Sequence, residues 1–189
     1  MSIYHLAVKL AAVTVGALVL AGCAGMKQST GEMAMFYRDY VGAPAGRPTA
    51  LMRLSADGAI RITPDSTCAD FLKPETGVAL FSTYSMKSYA HLHQRKLGVV
   101  GDAPPGLTST EISLEANKPV VVSFTRNWVH QGTGYVCQVH RGLTPEADAQ
   151  YQLVAQPLFS EGQCALLVTR LSEPQALVPT TPAKLCGAP

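Results

Sequence analysis

Charged residues and recognisable catalytic motifs are both scarce in this sequence. Asp, Glu, Lys and Arg make up 15% of the 189 residues, and the formal net charge is +2. Nothing in that balance indicates a nucleic-acid partner, which would favour a strongly basic surface. The motifs Gly-x-Ser-x-Gly, Ser-x-x-Lys, His-Glu-x-x-His and Gly-x-x-x-x-Gly-Lys are all absent. We therefore predict no enzymatic activity, no catalytic residue and no cofactor. The alternative is a hydrolase whose scattered catalytic residues meet only in the folded protein.

A long apolar run is also lacking. Leu10–Leu20 is apolar but shorter than the roughly 20 residues that a transmembrane helix needs. Its length, with Lys9 before it, is typical of the hydrophobic region of a signal peptide. An ordinary N-terminal membrane helix that ends near Met26 is the alternative.

The motif Leu20-Ala21-Gly22-Cys23 directly follows this run. It resembles the lipobox of bacterial lipoproteins, in which the cysteine thiol is lipidated and the preceding peptide is removed. The resemblance implies that residues 1–22 are a signal peptide and that acylated Cys23 holds the mature protein on membrane lipid. Each buried CH2 contributes about 0.8 kcal/mol, so an anchor with several acyl chains is effectively permanent.

The residue after the lipidated cysteine sorts such proteins between membranes. In this family an Asp at that position retains the protein in the inner membrane, and here Ala24 occupies it. The resemblance therefore implies the outer membrane, with the domain facing the periplasm; exposure at the cell surface is the alternative.

Composition divides the mature chain into three parts. Residues 23–48 are small, polar and broken by Gly and Pro, which is typical of a flexible tether. Residues 49–171 contain the alternating apolar patterns of a β-domain. Residues 172–189 are a Pro-rich tail that would need a crosslink to hold it down.

Four cysteines follow the lipidated one: Cys68, Cys137, Cys164 and Cys186. An even number in an exported chain predicts two disulfides, and the absence of Cys-x-x-Cys argues against a zinc or redox site. Three pairings are possible. We favour Cys137 with Cys164, because both lie in strands of one predicted meander, and Cys68 with Cys186 by elimination.

Residues 50–63 predict the first β-hairpin. Apolar and polar residues alternate on both sides of Ala56-Asp57-Gly58, and a three-residue loop there sets Leu54 opposite Ile60. A second hairpin is predicted over residues 112–124 by the same argument.

The strand pairing predicted for the first hairpin also places Arg53 opposite Arg61 on the outer face of the sheet. Two cations there could contact an anion such as a lipid headgroup or a carboxylate. The alternative, which we favour, is a solvated face with Asp57 or Asp65 nearby.

The remaining strands complete the predicted fold. Gly77–Phe81 is expected to be a buried strand, although the residues around it also fit a helical face. Three later strands predict a meander: 135–140, 150–157 and 163–171. The pattern as a whole predicts an antiparallel β-sandwich of seven or eight strands with two disulfides.

Two sets of residues are candidate ligand contacts. Trp128 with Asn127, His130 and Gln131 has the chemistry of a saccharide or peptide contact, although Trp128 could instead cap the core. His91 and His93 would share one face of a strand and could bind a metal together with His130 or His140, although surface histidines are the commoner case.

These observations predict an envelope lipoprotein with a structural or protein-interaction role, and an envelope protein is its expected partner. The alternative is a lipoprotein that binds a ligand through the Trp128 region or through histidines.

Overall fold

The computed structural model describes residues 38–82, 95–130, 132–158, 163–172 and 175–187. Cys23 with its lipobox, His91, His93 and Gln131 lie outside the described residues, as does the side chain of His130. No helix in the described ranges is long and apolar enough to cross a membrane. Arg38–Pro189 forms one compact unit.

In the part of the chain that the structure describes, ten strands form two five-stranded sheets. They are β1 (Thr49–Ala56), β2 (Ala59–Pro64), β3 (Gly77–Phe81), β4 (Thr108–Glu115), β5 (Val120–His130), β6 (Thr133–Leu143), β7 (Gln150–Leu158), β8 (Gln163–Arg170), β9 (Ala176–Leu177) and β10 (Thr181–Pro182). The first sheet has the order β4-β1-β7-β8-β9, and the second has the order β10-β6-β5-β2-β3. All paired strands are antiparallel except β1 and β7, which are parallel. The predicted β-sandwich is confirmed, and β3 has the predicted bounds.

The two sheets enclose one apolar core. Met52 and Leu54 of the first sheet and Ile60 and Phe124 of the second are fully buried in the same cluster. Burial of each such side chain contributes about 1.5–3 kcal/mol. Tyr40 is also buried in this cluster, so the core includes part of the segment that the sequence assigned to the tether.

The first hairpin prediction is wrong. β1 pairs with β4 and β7, whereas β2 pairs with β3 and β5, so the two strands lie in different sheets. Arg53 therefore lies opposite Glu111, and Arg61 lies opposite Ser123. Gly58 stands at the crossing, where a Cβ would come within 2.6 Å of the Phe124 ring. The glycine lets the crossing segment lie close against β5 of the second sheet, rather than forming a hairpin turn.

The second hairpin and the meander fail for the same reason. β4 belongs to the first sheet and β5 to the second, and β6 pairs with β5 and β10 rather than with β7. An alternating pattern puts apolar side chains on one side of a strand, and that side must be buried. It is buried equally well when two strands are neighbours in one sheet and when they face each other across the core. Only the β7–β8 part of the meander is correct.

Both favoured disulfides are present, Cys68–Cys186 and Cys137–Cys164. The reason for the second pair differs from the predicted one, because Cys137 on β6 and Cys164 on β8 crosslink the two sheets across the core. Cys68–Cys186 joins the tail to the segment that follows β2. Two backbone hydrogen bonds support it: Ala69 N–H to Lys184 O at 2.8 Å and Cys186 N–H to Ala69 O at 3.0 Å.

Candidate functional site

The outer end of the β5–β6 hairpin is the least supported part of the second sheet. β5 and β6 pair along their whole length, from Val120 with Leu143 to His130 with Thr133. β2 pairs with β5 only up to Thr125, and β10 pairs with β6 only at Arg141 and Gly142. Residues 126–130 and 133–137 therefore form a two-stranded ribbon with no third strand among the described residues. We call this segment the ribbon.

One face of the ribbon continues the core. Trp128 lies directly opposite Tyr135, and their rings stack with centroids 5.4 Å apart and planes 13° apart. Trp128 is half-buried and packs against the core cluster. Cys137 lies on the same face, and its bond to Cys164 ties the ribbon's base to the first sheet. This packing agrees with the interpretation of Trp128 as a cap on the core.

The opposite face of the ribbon is uncharged, carries two valines and is open to solvent. Val129 is 74% exposed and Val136 is 66% exposed. Asn127 pairs with Val136 and stands two residues before Val129, so strand alternation puts these three side chains on one face. Asn127 thus lies on the other face from Trp128, and the two do not line a common pocket.

The ribbon also carries little charge. Arg126 is its one Lys or Arg, and the sequence places no Asp or Glu in residues 126–137. The Arg126 guanidinium pairs with the Asp57 carboxylate at 3.2 Å. An uncharged apolar face suits a contact with another apolar surface rather than with an ionic ligand.

His140 on β6 is held by contacts with Ser123 and Phe71. His140 Nδ1 lies 2.8 Å from Ser123 Oγ on β5, and its ring lies beside Phe71 with centroids 5.9 Å apart. Burial lowers the pKa of His140 below its ordinary value. Ser123 is 2% exposed, so this Ser–His pair is closed to a substrate. The described residues contain no group of three or more His, Cys, Asp or Glu that could hold a metal ion.

A buried ion pair lies on the outer face of the first sheet, whereas the ribbon belongs to the second sheet. Arg53 donates from Nε and Nη2 to Glu111 Oε1, at 3.2 and 3.0 Å, and both side chains are 7% exposed. Glu111 Oε2 accepts three backbone N–H groups, from Leu97, Gly98 and Val99. The pair therefore holds residues 97–99 against β1 and β4.

The pKa of Glu111 reflects this arrangement. Burial alone would raise it, but the three N–H donors and Arg53 outweigh burial and lower it below the ordinary value. Arg53 also donates to the carbonyl oxygens of Val99 and Val100, at 2.5 and 3.2 Å. The sequence pattern indicated that Arg53 could contact a carboxylate but could not identify Glu111, because the two residues are 58 positions apart.

Comparison with known proteins assigns no family to this chain. A scan against protein-family models finds no match to the chain, and a search of curated proteins finds none either.

Proposed function

We propose that this chain is a lipoprotein of the bacterial outer membrane whose β-sandwich binds an envelope protein through the ribbon. The lipobox at Cys23 supports the anchor, and the exposed pair Val129 and Val136 carries the protein-binding part. Two β-branched side chains that are mostly exposed on the uncharged face of the ribbon form an apolar patch that a partner could cover. The partner surface that complements this face is apolar and uncharged.

The proposed lipid anchor predicts the mass of the mature protein and its location in the cell. The mature protein is expected to begin at Cys23, to carry acyl chains and to be recovered in the membrane fraction. The Cys23→Ser variant is expected to keep its leader and to carry no acyl chains, because the thiol is the attachment point. Intact-mass spectrometry of both proteins measures this difference. A wild-type mature form that is soluble and free of acyl chains would refute the anchor.

The ribbon makes a second prediction, tested in intact cells with the full-length lipidated protein. A photo-crosslinking amino acid placed at Val129 is expected to give one discrete product with an envelope protein. Substitution Val136→Asp in the same chain is expected to reduce that product at least tenfold. A contact that buries one valine is worth about 1.5–3 kcal/mol, and 1.4 kcal/mol corresponds to a factor of ten.

A matched control comes from the other sheet. Leu167 on β8 is 56% exposed, so a crosslinker there is about as accessible as one on the ribbon. It is expected to give no discrete product. Equal products from positions 129 and 167, or a product that Val136→Asp leaves unchanged, would contradict binding through the ribbon. The midpoint of thermal unfolding of the Val136→Asp variant should fall only slightly, since the side chain is exposed and the lower strand propensity of Asp costs at most about 1 kcal/mol.

The alternative function, ligand binding, has one supporting observation. The stacked pair of Trp128 and Tyr135 remains partly open, because Tyr135 is 38% exposed. Trp128 is the sole tryptophan, so its fluorescence reports on this position alone. A saturable fluorescence change on titration with cell-wall fragments would favour a saccharide or peptide ligand over a protein partner.

A further inference from the structure

The edges of the two sheets differ in how well they are covered. At the β3 edge, Tyr40 N–H donates to Val78 O at 2.8 Å, and Val78 N–H donates to Arg38 O at 2.7 Å. At the β4 edge, Ala43 N–H donates to Ser113 O, and Glu111 N–H donates to Arg95 O. Irregular segments of the chain thus cover both of these edges. Such covering is how proteins prevent unwanted pairing at exposed strands.

The β6 edge is covered only at its inner end. β10 is two residues long, and its pairing reaches Arg141 and Gly142. One further hydrogen bond, from Ala183 N–H to His140 O at 3.1 Å, ends the coverage. From Thr133 to Val139 the edge has no strand neighbour among the described residues. β8 has a similar uncovered stretch, but it is shorter, because Val178 N–H already donates to Val168 O.

Strand geometry identifies the backbone groups that face this edge. The carbonyl of His140 points away from β5, towards the tail, and successive residues in a strand alternate the side on which their N–H and C=O lie. The backbone N–H and C=O groups of Gln138, Val136 and Gly134 therefore point the same way as those of His140. Three residues present a row of donors and acceptors that an incoming strand can pair with.

The side chains along this edge fit an incoming strand. Residues 133–139 contain no Lys, Arg, Asp, Glu or Pro, which are the residues that usually protect an exposed edge. Tyr135 lies on one face and Val136 on the other, so an added strand would place an apolar or aromatic residue beside each. The Cys137–Cys164 bond holds the edge in place before a partner arrives.

We propose that an extended, uncharged segment of a partner protein adds as a strand to the β6 edge, pairing with the backbone of Gly134, Val136 and Gln138. This inference rests on the proposed function and specifies how the ribbon binds: main-chain hydrogen bonds at the edge supplement the side-chain contact of the two valines. It also extends the second sheet by one strand.

The test uses the crosslinker at Val129 in the full-length lipidated protein. Gln138→Pro removes one outward N–H, and proline is tolerated where the N–H of an edge strand faces solvent. The substitution leaves Val129 and Val136 in place. It is expected to reduce the crosslinked product at least tenfold, whereas Gln138→Ala, which keeps the N–H, is expected to retain it.

The outcomes separate the two proposals. Loss of the product with Val136→Asp but not with Gln138→Pro would overturn strand addition and leave the valine contact standing. No discrete product from the parent chain would overturn binding through the ribbon itself. A product with twice the mass of the chain would identify a second copy at the edge and overturn the assignment to a different protein.

A second measurement guards against misfolding of the proline variant. Amide hydrogen exchange of the purified full-length protein in detergent is expected to be fast at Gly134, Val136 and Gln138 and slow at Tyr135 and Cys137, whose amides face β5. Slow exchange at all five amides would show that the edge is already covered and would overturn the proposal. Retained slow exchange at Tyr135 in the Gln138→Pro variant would show that the β5–β6 pairing is intact.

Discussion

Substitution of Glu111 with alanine is expected to lower the free energy of unfolding by about 3–5 kcal/mol, the typical cost of removing one partner of a buried ion pair. The substitution leaves the Arg53 guanidinium buried without its carboxylate. It also leaves the three N–H groups of Leu97, Gly98 and Val99 without their acceptor. Urea unfolding of the variant and the wild type measures the difference.

The paired substitution Arg53→Met with Glu111→Leu is the matched control. Replacing both members of a buried ion pair with apolar residues is often close to neutral, because no charge is left unpaired. The double variant is therefore expected to be more stable than Glu111→Ala. A cost below about 1 kcal/mol for Glu111→Ala, which is typical of an exposed pair, would contradict the buried arrangement.

Glu111 also predicts a pH dependence of stability. Its pKa in the folded protein lies below the ordinary value of 4.5, so the unfolded chain binds the proton more tightly. The stability contributed by the carboxylate is thus complete above that ordinary value and is lost as pH falls through the folded pKa. Between pH 5 and 3, Glu111→Gln is expected to show a weaker loss of stability than the wild type. Parallel curves for the two proteins would contradict this account.

Removal of the disulfides is the second large expected effect. Cys68→Ser with Cys186→Ser opens a bond between residues 118 positions apart, and the chain-entropy model gives a loss of about 5 kcal/mol for that loop. Cys137→Ser with Cys164→Ser opens a bond spanning 27 positions, for which the same model gives about 3.5 kcal/mol. The longer loop is expected to show the larger loss, because the open chain gains more conformational freedom.

Guanidinium unfolding of both double variants under non-reducing conditions measures these losses. Substituting both cysteines of a pair leaves no free thiol that could exchange with the remaining disulfide. Stability equal to the wild type in both variants would show that neither bond forms in the mature protein. A larger loss for the 137–164 pair would show that its link between the two sheets matters more than loop length.

Local patterns in the sequence determined much of the architecture. Alternation around Met52 and Leu54, and around Val122 and Phe124, identified strands whose apolar side chains face the core, and the structure places them there. Four cysteines in a chain with a lipobox indicated two disulfides, and two are present. Their pairing is the favoured one, but the shared meander on which that choice was based does not exist. These inferences succeed because strand periodicity and oxidation state depend on residues close in sequence or on composition.

The tertiary structure alone decided which strands pair. The alternation that predicted hairpins at Asp57-Gly58 and at Ala116–Lys118 is equally satisfied when the chain crosses from one sheet to the other, and it crosses at both places. Arg53 therefore lies opposite Glu111 rather than opposite Arg61. The ribbon and its uncovered edge likewise depend on where β2 and β10 stop pairing. Periodicity determines which side of a strand is buried, but contacts between distant segments determine its neighbours.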